Sequence, residues 1–145
     1  MAFQFSESSE KNMEGVHPEL VAVFRASLKA SPIDFGIPKD GGVRTGKRQN
    51  QMYHDPDIET KCDGFIDRSN HQIPTGEEYG KALDFYAYVG KASWEAHHLS
   101  MVAGVILSTA QRLYNEGAIS IKIRWGGTFG SDSFNGWDMP HMEIS

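Results

Sequence analysis

The hydrophobic positions of this chain follow a helical spacing in two segments, and a further segment after the Gly41-Gly42 turn also predicts a helix. The first predicted helix begins at Pro18 and ends near Ser31, and the second runs from Lys47 to Tyr53. The third is capped by Ser93 and closed by Gly117. We expect this third helix to form the centre of the core. The apolar faces of the first and third helices comprise Leu20, Val23, Phe24 and Leu28, and Leu99, Val102, Ala103, Ile106, Ala110 and Leu113.

Three other segments alternate between apolar and polar positions, which is the spacing of a half-buried strand. In the segment 82–89, one predicted face carries Leu83, Phe85, Ala87 and Val89, and the other carries Asp84, Tyr86 and Tyr88. The carboxylate of Asp84 is therefore predicted to point away from the aliphatic side. The second strand is predicted at Ile121–Trp125. The third is predicted at His141–Ile144, where His141 and Glu143 share one face.

Two long loops separate these elements. Residues 54–78 are polar and acidic without an apolar period, and residues 126–137 are rich in glycine and aromatic side chains. Loops of such length in compact domains are commonly functional. Helices mixed with a few short strands predict an α+β domain with a small antiparallel sheet. A length of 145 residues predicts one domain spanning residues 1–145.

Charge and composition exclude several classes of partner. The net charge of −5 gives no basic face for nucleic acid or for an anionic membrane. The longest apolar run, Met101–Leu107, is far shorter than the ~20 residues of a membrane span, so we expect no membrane insertion. The polar and acidic start, residues 1–12, has no apolar core of a signal peptide. Cys62 is the only cysteine, so an internal disulfide is impossible.

Candidate metal ligands lie at three separated positions, namely His71, Asp84 and His141. A catalytic zinc takes three ligands from histidine and carboxylate side chains, whereas structural zinc sites are usually rich in cysteine. A single cysteine leaves only the first kind of site. His97 and His98 are adjacent on the third predicted helix, so we expect them to point about 100° apart and not to share an ion.

Three motifs in the second half of the chain resemble those of a known family. Ser69-Asn70-His71, Gly80-x-Ala82-x-Asp84 and Asp138-x-x-His141 are similar to the signature of zinc-dependent peptidases of the D-alanyl-D-alanine carboxypeptidase group, which have a hedgehog-type fold. The first half resembles tailed-phage endolysins that act as L-alanyl-D-glutamate endopeptidases. The segments that carry this second resemblance are Phe5 to Lys11, His17-Pro18-Glu19-Leu20, Ser31 to Phe35 and Gly42-Val43-Arg44-Thr45.

The resemblance implies a role for each candidate residue. His71, Asp84 and His141 would hold one Zn²⁺, Asp138 would be the general base, and Arg44 would stabilise an oxyanion or grip a substrate carboxylate. Glu143 would orient His141 or, if Asp138 proved dispensable, act as the base. Further support of the site or contact with substrate is assigned to Ser69, Gln49 and Trp137.

One departure from the family pattern leaves the carboxylate ligand open. Ile73 to Glu78 resemble an insertion between the ligand histidine and the ligand aspartate. Such an insertion costs little loop-closure entropy, so His71 and Asp84 could still converge. Glu77 or Glu78 could in principle replace Asp84. The acidic group Asp55, Asp57 and Glu59 lacks the spacing of a complete calcium loop, and we interpret it as solvated charge.

The function implied by the resemblance is hydrolysis of peptidoglycan stem peptides at the L-alanyl–D-glutamate bond during host lysis by a phage. A D-alanyl-D-alanine carboxypeptidase and a non-catalytic zinc-binding interaction domain are the alternatives. We expect a monomer without a separate wall-binding domain. It would be made in the host cytoplasm and reach the periplasmic peptidoglycan after release by a holin.

Overall fold

A computed structural model describes residues 2–130, 134 and 136–145 of the chain. Part of the glycine-rich loop predicted at 126–137 therefore lies outside the described residues. None of the described helices is both long and apolar enough to cross a lipid bilayer. In chain order, the elements are α1 (Glu7–Asn12), α2 (Pro18–Ala30), β1 (Asp34–Gly36), α3 (Gly46–Tyr53), β2 (Ala82–Asp84), β3 (Tyr86–Tyr88), β4 (Ala92–Ser93), α4 (Ala96–Asn115), β5 (Ile123–Trp125), a 3₁₀ turn (Gly126–Thr128) and β6 (His141–Ile144).

The described strands form two small antiparallel sheets, in the orders β1-β3-β4 and β2-β6-β5. Helices α2 and α4 pack together, and their apolar faces fill the core with side chains from both sheets. Phe24, Phe35 and Phe85 meet edge to face at the centre, with ring centroids 6.3–6.4 Å apart. The predicted α+β class is confirmed.

Helix α2 matches its prediction closely because its ends carry strong local signals. Pro18 occupies the first turn, where its missing N–H costs nothing, and Nδ1 of His17 accepts a hydrogen bond from the backbone N–H of Glu19. The N-terminus of α4 was predicted wrongly. Ser93 lies in β4, Glu95 is the N-cap, and the Ser93 hydroxyl accepts a hydrogen bond from the Glu95 N–H before the helix begins.

The single strand predicted at 82–89 is divided at Phe85. Asp84 and Phe85 turn their N–H groups toward the carbonyl oxygens of Gly41 and Pro140, so the chain leaves one sheet and enters the other. Val89, which the alternation places on the aliphatic face, is 43% exposed. Val89 follows the end of β3 and precedes Gly90, whose φ of +83° forms the turn into β4.

Strand pairing in the sheet β2-β6-β5 places the functional side chains. Asp84 is the direct partner of His141 in the β2–β6 ladder, and Arg124 is the partner of Glu143 in the β5–β6 ladder. Directly opposite residues of an antiparallel pair carry neighbouring side chains on one face of the sheet. Four polar residues from three strands thus come together.

Candidate metal site and cleft

Three side-chain atoms from distant parts of the sequence converge on one point. Nε2 of His71 lies 3.1 Å from Nδ1 of His141 and 3.2 Å from Oδ1 of Asp84. The distance from Nδ1 of His141 to the same carboxylate oxygen is 3.0 Å. Both histidines are buried and Asp84 is half-buried. This is the ligand group predicted from the sequence.

The ring of His71 is oriented by the loop that precedes α3. Its Nδ1–H donates to the carbonyl oxygen of Gly42 at 2.8 Å, and the backbone N–H of Arg44 donates to the His71 carbonyl at 2.9 Å. Because Nδ1 carries the proton in this arrangement, Nε2 presents its lone pair to Asp84 and His141.

The ring of His141 is oriented from its opposite edge. Its Nε2–H donates to Oε1 of Glu143 at 2.7 Å, so Nδ1 presents a lone pair to the same point. Arg124 donates from Nε and Nη2 to the other oxygen of Glu143, at 2.8 and 2.6 Å. Glu143 is therefore occupied on both oxygens and lies on the far side of the ring from Asp84.

The donor set fits a divalent cation. Two imidazole lone pairs and one carboxylate oxygen within 3.2 Å of one another repel unless a cation or a proton lies among them. A proton on Nδ1 of His141 can occupy this position, and a cation that binds there displaces it. Burial opposes the charged imidazolium, but hydrogen bonds to Asp84 and Glu143 and nearby negative charge raise the pKa of His141 to about 10.

The pKa values of His71 and Asp84 are both lowered, for different reasons. Burial lowers the pKa of His71, which favours the neutral ring that a metal requires. Burial would raise the pKa of Asp84, but the charges and hydrogen bonds of His71 and His141 hold it well below its usual range. The carboxylate of Asp84 is thus ionised throughout the neutral range and available as a ligand.

Asp138 lies beside this group without belonging to it. Its Oδ2 is 3.7 Å from Nδ1 of His141. Burial and the negative charge of Asp84 raise the pKa of Asp138 to about 6 against the opposing charge of His141, so at neutral pH the carboxylate is largely ionised and able to take up a proton. A side chain on Gly126 would overlap the Asp138 carbonyl, so this close approach requires glycine.

Arg44 faces inward and is held at three nitrogen atoms. Nη2 donates to Oδ2 of Asp84 at 2.9 Å, Nη1 to Oε1 of Gln49 at 3.0 Å, and Nε to the Asp40 carbonyl at 2.7 Å. Its side chain is only 9% exposed. The guanidinium therefore fixes the second oxygen of Asp84, while Oδ1 remains directed at the histidines.

The three supporting residues predicted from the sequence lie around the same site. The Ser69 hydroxyl accepts a hydrogen bond from the backbone N–H of His71 at 3.1 Å. Gln49 is fully buried and donates to the Cys62 carbonyl at 2.9 Å. Trp137 is 37% exposed and lines the cleft immediately before Asp138.

A cleft of about 310 Å³ opens onto the ligand group. One wall comes from residues 58–62 and 68–71 of the long polar loop, and the other from residues between Phe129 and Glu143.

Glu77 is paired with Lys81 at 3.0 Å, Glu78 is exposed, and neither is in the ligand group. Asp55, Asp57 and Glu59 form no metal-ligand group in the described part of the chain.

The prediction that His97 and His98 diverge is wrong. Their ring centroids are 4.0 Å apart, and together with Glu95 they bring possible ligand atoms within 4.8 Å of one another. Nε2 of His97 lies 3.6 Å from Oε2 of Glu95, and Nδ1 of His98 lies 3.4 Å from the same oxygen. His97 and Glu95 are largely exposed at the start of α4, and Nδ1 of His98 is also 2.7 Å from the Ser93 hydroxyl.

Sequence reasoning missed the contribution of Arg124. The alternation of Ile123 and Trp125 placed Arg124 on the outer face of its strand, which is the usual environment of a solvated charge. Only the pairing of β5 with β6 reveals that this face carries Glu143. The guanidinium also lies 5.0 Å from the ring centre of Phe129, whose ring is 5.8 Å from that of His141.

A family model described as phage L-alanyl-D-glutamate peptidase matches residues 1–144. The chain belongs to this family. The family predicted from the motifs is confirmed. A segment of 95 residues is 36% identical to the L-alanyl-D-glutamate peptidase of Escherichia phage T5, and it spans 65% of this chain but only 61% of that protein.

A solved structure extends the likeness to the whole chain. The fold is similar to the Serratia marcescens L-Ala D-Glu endopeptidase ChiX, with a TM-score of 0.72 and 28% sequence identity. The match covers 99% of this chain and 91% of that chain. The two small sheets and the helices are therefore arranged as in the ChiX endopeptidase.

Proposed function

We propose that this phage peptidase is a zinc-dependent endopeptidase that cleaves the L-alanyl–D-glutamate bond of peptidoglycan stem peptides. The observation that carries the proposal is the convergence of His71, Asp84 and His141 at one end of a cleft, in a chain of the L-alanyl-D-glutamate peptidase family. Three ligands without cysteine are typical of a catalytic zinc site, which keeps one position open.

His71 would hold the metal through Nε2, His141 through Nδ1 and Asp84 through Oδ1. When bound, zinc supplies a Lewis acid that polarises the scissile carbonyl and acidifies a water. Arg44 orients Asp84, since it binds the carboxylate oxygen that faces away from the histidines. Glu143 and Arg124 fix the orientation of the His141 ring.

Asp138 is the general base in this proposal. Its ionised carboxylate takes a proton from the attacking water and then delivers that proton to the departing amine of D-glutamate. Glu143 is poorly placed for this task, because both of its oxygens are bound and the His141 ring separates it from Asp84. Such proton transfer is typically worth about 10²–10⁴-fold in rate.

The location of the substrate determines where the protein acts. Peptidoglycan lies outside the cytoplasmic membrane, so a phage peptidase made in the host cytoplasm must cross that membrane. We propose release through a holin and action as a monomer on the periplasmic wall. Size-exclusion chromatography with light scattering measures the molar mass and so tests whether the protein is a monomer.

The proposed function is tested by mass spectrometry of fragments released from purified Gram-negative peptidoglycan by zinc-loaded protein, beside a chelated sample. The expected product has a new N-terminal D-glutamate, and chelation abolishes its release. Loss of terminal D-alanine alone would instead indicate a carboxypeptidase. Intact peptidoglycan with a fully loaded metal site would indicate a zinc-binding interaction domain.

A further inference from the structure

Two cations that contact the candidate site are engaged by carboxylates. Arg44 pairs with Asp84 at 2.9 Å, and Arg124 pairs with Glu143 at 2.6 Å. Lys61 and Arg68 also line the cleft or its rim. In the part of the chain that the structure describes, neither of these two cations takes part in an ion pair. Lys61 and Arg68 are therefore the lining cations that can meet a substrate carboxylate, with the exposed carboxylate of Glu59 also in the cleft lining.

Lys61 is held in place by its surroundings although its side chain is exposed. The buried Gln49 side chain donates from Nε2 to the hydroxyl of Thr60 at 3.0 Å and to the carbonyl of Cys62 at 2.9 Å. The residues on both sides of Lys61 are thereby fixed to α3. The ammonium group lies over the ring of Trp137, 4.9 Å from its centre, which is the geometry of a cation–π contact.

This contact bridges the two walls of the cleft next to the proposed base. Trp137 immediately precedes Asp138, whose carboxyl group, after taking the proton of the attacking water, would protonate the departing amine. The residue that supplies this amine is D-glutamate, so its remaining groups must lie on the side of the cleft where Asp138, Trp137 and Lys61 lie.

The chemistry of D-glutamate gives this side of the substrate a negative charge. A glutamate residue has two carboxyl groups, and a peptide continues through only one of them. The other remains a free carboxylate close to the bond that is cut. An ammonium group supported by an aromatic ring binds such a carboxylate by a charge-assisted hydrogen bond.

We propose that Lys61, supported by the ring of Trp137, binds the free carboxylate of the D-glutamate residue on the leaving side of the scissile bond. This inference rests on the proposed function. It makes Lys61, in the polar loop, a specificity-determining residue. The three nitrogen atoms that Arg44 directs inward are bound within the protein, so the proposed contact with this carboxylate falls to Lys61.

The test compares two synthetic stem-peptide analogues that differ only in the free carboxyl group of D-glutamate, which is a carboxylate in one and a carboxamide in the other. The ratio of their kcat/KM values is measured for the zinc-loaded wild-type protein and for Lys61→Gln, Lys61→Arg and Arg68→Gln. Lys91→Gln is the matched control, because Lys91 is exposed in the turn between β3 and β4, outside the residues that line the cleft.

We expect wild-type protein, Lys61→Arg and Lys91→Gln to prefer the carboxylate by about fivefold, the range of an exposed ion pair. Lys61→Gln should cut the two analogues at nearly the same rate while its zinc content stays unchanged. Equal rates in the wild-type protein, or a full preference in Lys61→Gln, would overturn the assignment. Loss of the preference in Arg68→Gln alone would assign the carboxylate to Arg68 instead.

The two analogues also separate this inference from the proposed function. Wild-type protein that cuts neither analogue and leaves peptidoglycan intact would refute the peptidase itself, and the subsite with it. Wild-type protein that cuts both equally would keep the peptidase and refute only the role of Lys61.

Discussion

Oε1 of Glu143 lies 2.7 Å from Nε2 of His141, on the edge of the ring opposite the metal-facing nitrogen. Arg124 binds the other carboxylate oxygen at 2.6 Å. Burial would raise the pKa of Glu143, but the hydrogen bonds of His141 and Arg124 lower it to about 2. Glu143 therefore stays ionised and keeps a proton on Nε2 of His141, which leaves Nδ1 facing the other two ligands.

Replacing Glu143 by Gln should weaken zinc binding by about 10–100-fold, since partners of this kind orient the ligand ring and raise its basicity. The measurement is a competition titration against a chromophoric zinc chelator. Glu14→Gln is the matched control because Glu14 is an exposed carboxylate distant from the ligands in sequence. Unchanged affinity in Glu143→Gln would show that the backbone alone orients His141.

The candidate ligands could be predicted from the sequence because they stand in local patterns. Asp84 and His141 each occupy a strand whose alternation shows which face they share with other residues. Their mutual distance could not be predicted, because it depends on the register that places Asp84 opposite His141. The role of Arg124 could not be predicted for the same reason, because only the β5–β6 register places it opposite Glu143.

Other errors arose where tertiary contacts overrode a local pattern. The alternation of residues 82–89 continues through Phe85, but hydrogen bonds to Gly41 and Pro140 divide the strand there. Ser93 has the side chain of a good N-cap, yet its pairing with Ala87 keeps it in β4. Neither effect leaves a signal in the surrounding residues.

Removal of a ligand should abolish both metal binding and hydrolysis. His71→Ala and Asp84→Ala are each expected to retain little zinc after dialysis, because two ligands remain of three. Zinc is measured by atomic emission. Glu78→Ala is the control, since Glu78 is exposed outside the ligand group. If Glu78→Ala lost its zinc while Asp84→Ala kept it, the choice of carboxylate ligand would be wrong.

Asp138→Asn should keep zinc and lose activity. Asn preserves the shape of the side chain but cannot accept the proton of the attacking water, so kcat should fall by about 10²–10⁴-fold. The measurement pairs zinc content with release of N-terminal D-glutamate. An Asp138→Asn protein with wild-type kcat would exclude Asp138 as the base, and one without zinc would make it a ligand.

Alkylation of Cys62 should require a higher pH than alkylation of a cysteine in a short peptide. Burial and the negative charge of Asp67 raise the pKa of the Cys62 thiol, so the reactive thiolate forms at a higher pH than in a free cysteine. At pH 8 the rate with iodoacetamide should be below that of a cysteine-containing peptide, and it should rise through the folded-state pKa. Mass spectrometry follows the reaction at Cys62, the only cysteine. A profile that coincides with the peptide would contradict the shift.

Two glycines should respond in opposite directions to alanine. Gly104 lies exposed inside α4, and a side chain there would meet nothing within 4 Å. Gly104→Ala should stabilise the protein by about 0.5–1 kcal/mol, because alanine loses less conformational freedom in a helix.

Gly126→Ala should be destabilised, because the added carbon would overlap the backbone carbonyl of Asp138 and this backbone cannot move without shifting the turn that holds it. Thermal unfolding of both variants gives the sign of each change. Zinc content and activity separate a local shift of Asp138 from general unfolding. Since Asp138 lies at the point of contact, Gly126→Ala should lose activity at temperatures where it is still folded. Full activity there would show that the Asp138 turn can move without moving the proposed base.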